Sequence, residues 1–178
     1  MKLVVVDKAL YRRRLNRVIA VFIGALAMLS LLFGTLLISW FGNNAPISGE
    51  STGNFKWNLL GVVLAASLCA TVLYSLRHHS YLTEVFYVAR LKSLQNRIYR
   101  QLSKWRQRAE QDDSQALIVL CFYFQSQKLV YLLDDNTLTL SAVEKELQAV
   151  EEQIQRLGLQ VGADDFQESM LGSTDQSE

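Results

Sequence analysis

Two stretches of this 178-residue chain hold no charged side chain, and they restrict its fold more than any other feature. Residues 18–41 are 24 such positions in a row, and residues 58–76 are 19 more. A helix rises about 1.5 Å per residue, so each run is long enough to cross a hydrocarbon core of roughly 30 Å. The expected fold class is an all-α membrane protein. The first run is too long for the apolar core of a cleaved signal peptide, and Ala45 followed by Pro46 is a poor cleavage context. No lipidation motif stands at either end.

The flanking charges give an orientation. Lys2, Lys8, Arg12, Arg13, Arg14 and Arg17 precede the first run, only Lys56 lies between the runs, and Arg77, Arg90 and Lys92 follow the second. By the positive-inside bias both termini are cytoplasmic and the loop 42–57 is outside. Trp40, Phe41, Phe55 and Trp57 bracket that loop as an aromatic belt, and Tyr74 and Tyr81 suit the inner interface. So short a loop implies a two-helix transmembrane hairpin. Its candidate packing residues are small ones four apart: Ala20 with Gly24 on the first span, Gly61 with Ala65 and Ala66 with Ala70 on the second. Such side chains let two backbones approach closely in lipid, within one chain or between chains.

The organisation read from these signals has six parts. Residues 1–17 are a basic cytoplasmic segment, 18–41 the first transmembrane helix, 42–57 a periplasmic loop and 58–76 the second transmembrane helix. Residues 77–161 form a cytoplasmic helical domain, and 162–178 an acidic tail expected to be disordered, with five acids and no base. A single proline, Pro46, favours long helices.

Within the cytoplasmic part, Leu91, Leu94, Ile98, Leu102 and Trp105 recur at steps of three and four, which predicts one helix from Tyr81 to about Gln111. Residues 116–124 are nine apolar positions, too few to span, and read as the buried start of a second helix running to Leu133. Asp134, Asp135, Asn136 and Thr137 make a turn. Ser141 and Glu144 have the spacing of a capping box that would start a third helix. Val143, Leu147, Val150, Ile154 and Leu157 give that helix a short heptad seam, and Gly158 is placed to end it. The seam is barely long enough for a coiled coil and suits packing inside a domain. The expected domain is a cytoplasmic antiparallel three-helix bundle.

Charge is divided along the chain. Up to Ala109 there are 15 Lys and Arg against three acids; from Glu110 onward there are three bases against 14 acids. Arg90, Arg97, Arg100, Lys104 and Arg108 form a basic stripe beside the apolar one. Two docking surfaces fit it, the anionic headgroups of membrane lipids and the acidic half of the chain. Nucleic acid fits less well, because Trp105, one of the two aromatics available for stacking, belongs to the apolar stripe.

The remaining candidates for chemistry are weak. Adjacent helical residues point about 100° apart, so His78 and His79 do not readily share one metal ion. The Asp134–Asn136 run lacks the glycine and distal glutamate of a calcium loop. Cys69 and Cys121 read as buried apolar residues in different phases, not as a disulfide. Neither span carries a charged residue or histidine of the kind transporters need, and no nucleophile–base pair or phosphate loop stands out. No cofactor, metal or small-molecule substrate is expected, and the chain is read as a non-enzyme.

Three stretches carry a resemblance: Lys56-Trp-Asn-Leu-Leu-Gly-Val-Val, Tyr81-Leu-Thr-Glu-Val through Arg97-Ile-Tyr-Arg, and Tyr131-Leu-Leu-Asp-Asp-Asn-Thr-Leu-Thr-Leu-Ser. With the basic entry to the first span, they resemble a gammaproteobacterial family of two-span inner-membrane proteins catalogued as a domain of unknown function. The resemblance covers the chain to about Leu157 and implies a bacterial inner membrane. It brings no catalytic residue. The function that follows is a membrane-anchored helical interaction module, adaptor or scaffold, binding a protein partner or itself. The alternative is a small homo-oligomeric channel, for which neither span offers a clear polar face.

Overall fold

The computed structural model describes residues 2–42 and 53–176. Residues 43–52, most of the expected outer loop with Pro46 and Glu50, lie outside the described residues, as do the last two. The described chain is all-helical: α1 (Lys8–Phe41), α2 (Phe55–Ser75), α3 (Thr83–Tyr99), α4 (Leu102–Glu110), α5 (Ser114–Asp134) and α6 (Leu140–Arg156), with short 3₁₀ turns after α2 and α6. It divides into two compact units, one of Arg12–Val85 and one of Met1–Tyr11 with Phe86–Glu178.

In the first unit α1 and α2 meet at their glycines. A Cβ added to Gly61 would stand 2.6 Å from the Gly34 nitrogen, so the backbones touch where neither residue has a side chain. Gly61, Ala65 and Cys69, four apart, are the buried residues of α2. Where α1 ends and α2 begins, Phe41 stacks on Trp57 with ring centroids 5.3 Å apart. Elsewhere both helices expose large apolar side chains, among them Ile23, Leu31, Leu36, Leu59, Val63 and Leu68.

Among the described residues three helices are long and apolar enough to cross a membrane, and burial separates them. The most apolar window of α1 is 6% buried, that of the stretch from Phe55 to His78 is 17% buried, and that of α5 is 67% buried. The first two leave their apolar surface largely exposed. The third is covered, because it is the centre of the second unit.

There, all nine residues from Ala116 to Phe124 are buried. A helix apolar on every side must be covered on every side, and α4, α6 and the residues after α6 supply that cover. Helix α5 starts on Asp113, whose side-chain oxygen accepts from the Gln115 and Ala116 amides at 2.9 and 3.4 Å. It ends on Asp135 in the left-handed conformation, with the Asn136 amide donating to the Tyr131 carbonyl. Helix α6 then lays Val143, Leu147, Val150 and Ile154 into the core and stops at Gly158, whose φ is +66°. The core hydroxyl of Ser126 donates to the Tyr123 carbonyl and accepts from Gln95 of α3.

The structure corrects four readings of the sequence. The single helix expected over 81–111 is two, broken at Arg100 and Gln101, so four helices stand where three were expected. The turn has no Gly or Pro, so local composition does not mark it; Trp105 and Ala109 beyond it are buried in the core. Ser141 is not a cap: α6 begins a residue earlier, after Thr139, with no side-chain cap bond, and Ser141 is exposed inside the first turn.

The tail is not free. Phe166 is 1% exposed and stacks on Phe122 at 3.9 Å. Ala163 and Leu171 are buried, and the Gln115 amide donates to the Met170 carbonyl at 3.0 Å. Finally, the N-terminal segment is divided, and its part up to Tyr11 belongs to this unit: Asp7 caps α1 through the Leu10 amide, the Tyr87 hydroxyl accepts from the Val4 amide, and Tyr11 is buried.

Candidate functional site

The five residues of the basic stripe have different fates. Arg90, on α3, pairs with Glu168 of the tail at 2.6 Å. Arg108, near the end of α4, is half-buried; it holds Asp113 at 2.6 Å and lies over the Trp105 ring at 4.9 Å. Both ends of the stripe are thus spent on the fold, the second by steadying the carboxylate that caps α5.

Arg97, Arg100 and Lys104 are different. All three are exposed, and they have no ion pair among the described residues. They lie around the α3–α4 break, and Tyr99, 64% exposed, stands in the same turn.

The contrast with neighbouring cations is sharp. Arg106 pairs with Glu146 of α6 at 3.1 Å, Lys128 with Glu144 at 2.9 Å, and Lys92 with Asp134 at 2.7 Å. Lys8 pairs with Asp135. The acidic half therefore does meet the basic half, but through residues outside the stripe, except at Arg90 and Arg108. The Asp134–Asp135 turn, weighed above as a cation site, holds two lysine ammonium groups.

Among the small residues, Gly61 and Ala65 are buried at the approach of α2 to α1. Ala20, Gly24, Ala66 and Ala70 are exposed on the described chain, and a Cβ at Gly24 would meet nothing within 4 Å. The residues that sequence reasoning missed are Gly34, which faces Gly61, and Cys69, the third step of the α2 seam. A signal existed for both: Ser30 and Gly34 are four apart, and Cys69 continues Gly61 and Ala65 at the same interval.

No group of three or more potential metal ligands occurs among the described residues. His79 is turned into a local bond, its Nδ1 accepting from the Tyr81 amide at 3.2 Å. Both cysteines are free and buried. Burial first, and Glu151 second, push the Cys121 thiol up to about 11, which removes it as a nucleophile at neutral pH. What the surface offers is three exposed cations, Arg97, Arg100 and Lys104, and the exposed Tyr99 ring around the α3–α4 break.

Residues 1–171 match the model of a family described as a protein of unknown function (DUF3087), and the chain belongs to that family. No curated protein and no solved structure matched the chain.

Proposed function

We propose that this DUF3087 chain is a two-span protein of a bacterial inner membrane with both termini cytoplasmic, and that its second unit is a non-enzymatic module docking an acidic protein partner. The observation that carries the docking reading is the unneutralised triad Arg97, Arg100 and Lys104 beside exposed Tyr99. Fourteen acids follow Ala109 in the sequence, yet Glu146 and Glu144 of α6 pair with Arg106 and Lys128, and no acid pairs with the triad among the described residues. Like charges held together repel, and a negative surface relieves that repulsion while steering the encounter. Tyrosine is among the residues enriched where such surfaces close.

The membrane reading rests on α1 and α2. Their length fits a hydrocarbon core, their faces are apolar nearly all round, and six cationic residues precede the first uncharged run. The two helices would form the hairpin, and α3 to α6 the cytoplasmic bundle. The channel alternative draws less support: the hydroxyls of Ser30, Thr35, Ser67 and Thr71 each donate to a carbonyl of their own helix, which leaves little to line a pore.

The test uses the full chain in cells. A photo-crosslinking residue in place of Tyr99 should capture an acidic protein, and the adduct should disappear when Arg97, Arg100 and Lys104 are changed to Glu. No adduct, or one indifferent to the charge reversal, sinks the docking reading. Separately, a reporter fused after residue 178 should be active only in the cytoplasm, and one inserted after residue 48 only outside. The reverse pattern sinks the orientation.

A further inference from the structure

The first unit contains a cavity of about 590 Å³ between α1 and α2, lined by apolar side chains that include Val21, Phe22, Leu29, Leu68 and Val72. It falls within the roughly 300–1,000 Å³ of typical ligand sites, which are mostly apolar with a few placed polar groups. Here the polar groups are Arg17, His79 and Tyr81, all at one end. We propose that this groove holds one acyl chain of an anionic phospholipid from the leaflet at the Arg17 end, with the headgroup phosphate against Arg17, His79 and Tyr81. The proposal rests on α1 and α2 spanning the membrane.

Length supports that occupant. The α1 wall of the groove runs from Arg17 to Leu29, about 18 Å at ~1.5 Å per residue. Half of a ~30 Å hydrocarbon core is about 15 Å, so the wall is one leaflet deep. Beyond it, the touching glycines Gly34 and Gly61 close the space between the helices. The groove lining on α1 ends at Leu29, so a chain entering from the Arg17 side has about one leaflet of depth before the helices close on each other.

The mouth has the complementary chemistry. Arg17 has no ion pair among the described residues, and it stands where an inner-leaflet headgroup would lie. The His79 Nδ1 accepts from the Tyr81 amide, so in the neutral ring the hydrogen sits on Nε2, an exposed donor that a headgroup can engage. The Tyr81 hydroxyl is buried and has no hydrogen-bond partner among the described residues. A buried donor without a partner is costly, and a phosphate oxygen would satisfy it. Neighbouring Arg14 is already committed, to Glu84 at 3.3 Å and over the Tyr81 ring at 5.1 Å.

The test is lipid retention by the full chain. The protein is purified in mild detergent, delipidated, and offered phosphatidylglycerol or phosphatidylcholine in mixed micelles, with bound lipid counted by native mass spectrometry. The wild type should retain one phosphatidylglycerol per chain and little phosphatidylcholine. Arg17→Gln should lower phosphatidylglycerol retention about fivefold, the worth of one basic residue beside an anionic surface, and leave phosphatidylcholine unchanged. Ala25→Trp, which fills the groove from its α1 wall without adding charge, should abolish retention of both. Equal retention of the two lipids, or indifference to both substitutions, overturns the proposal. Alkaline carbonate extraction of native membranes separates the two failures: a chain that is washed out overturns the spanning reading together with the groove, whereas one that stays in the membrane and retains no lipid overturns the groove alone.

Discussion

Replacing Phe166 with Ala tests whether the last residues of the chain belong to the fold. Phe166 lies in a stretch that by composition should be solvated, and it is 1% exposed, stacked on Phe122 at 3.9 Å with the rings 10° from parallel. Phe122 is a fully buried residue of α5, so the removed ring leaves a void against the central helix. Truncations of this kind cost about 3–5 kcal/mol, the sum of lost transfer energy and residual cavity. In a domain of about 100 residues each kcal/mol lowers Tm by about 4–8 °C, so a fall of roughly 12 °C or more is expected. The assay is thermal melting of the full chain in detergent, followed by near-ultraviolet circular dichroism. A second readout is cleavage at Glu168 by a glutamate-specific protease. That residue is paired with Arg90 and should be cut slowly in the wild type and quickly in the variant. A melt within about 2 °C of the wild type, with equally fast cleavage in both, would refute the packed tail.

Asp113→Ala should cost about 1–2 kcal/mol by urea unfolding, because it removes the α5 cap and the Arg108 pair. Ser141→Ala should stay within about 0.5 kcal/mol, as an exposed position without a cap bond. Gly61→Val should push α2 off α1, since its Cβ would meet the Gly34 backbone at 2.6 and 2.9 Å, and a spin-label distance between positions 38 and 59 should lengthen; exposed Ala66→Val should leave that distance unchanged. For Cys121, burial raises the folded thiol from 9.0 to about 11, so above pH 9 the unfolded chain gives up its proton first. The stability from keeping that thiol neutral is fully present below pH 9 and is lost as pH rises through about 11. Urea midpoints at pH 8 and pH 11 should therefore differ more in the wild type than in Cys121→Val; equal differences would contradict the assignment.

How much was legible in the sequence depends on how far apart the determining residues lie. The two uncharged runs, the helical periodicity of α3, α5 and α6, the Asp134–Asn136 turn and the stop at Gly158 are local patterns, readable from neighbours within one or two helical turns. The basic stripe was equally visible, but its division was not. Arg90 is matched by Glu168, 78 residues away, and Arg106 by Glu146, while Arg97, Arg100 and Lys104 find no carboxylate among the described residues. No spacing rule reports that.

The same distinction explains the corrections. Local propensity carries one helix through Arg100 and Gln101, starts another at Ser141 and leaves the tail in water. Tertiary structure decided otherwise: the chain turns after Tyr99 with Trp105 buried beyond the turn, and α5, apolar all round, needs a cover that Phe166 completes. Charge and hydropathy fixed the composition of the helices, which depends only on side chains close in sequence. The cavity between α1 and α2, the contact of Gly34 with Gly61 and the isolated cationic triad were decided by distances between residues far apart in the chain, and those exist only once the backbone has folded.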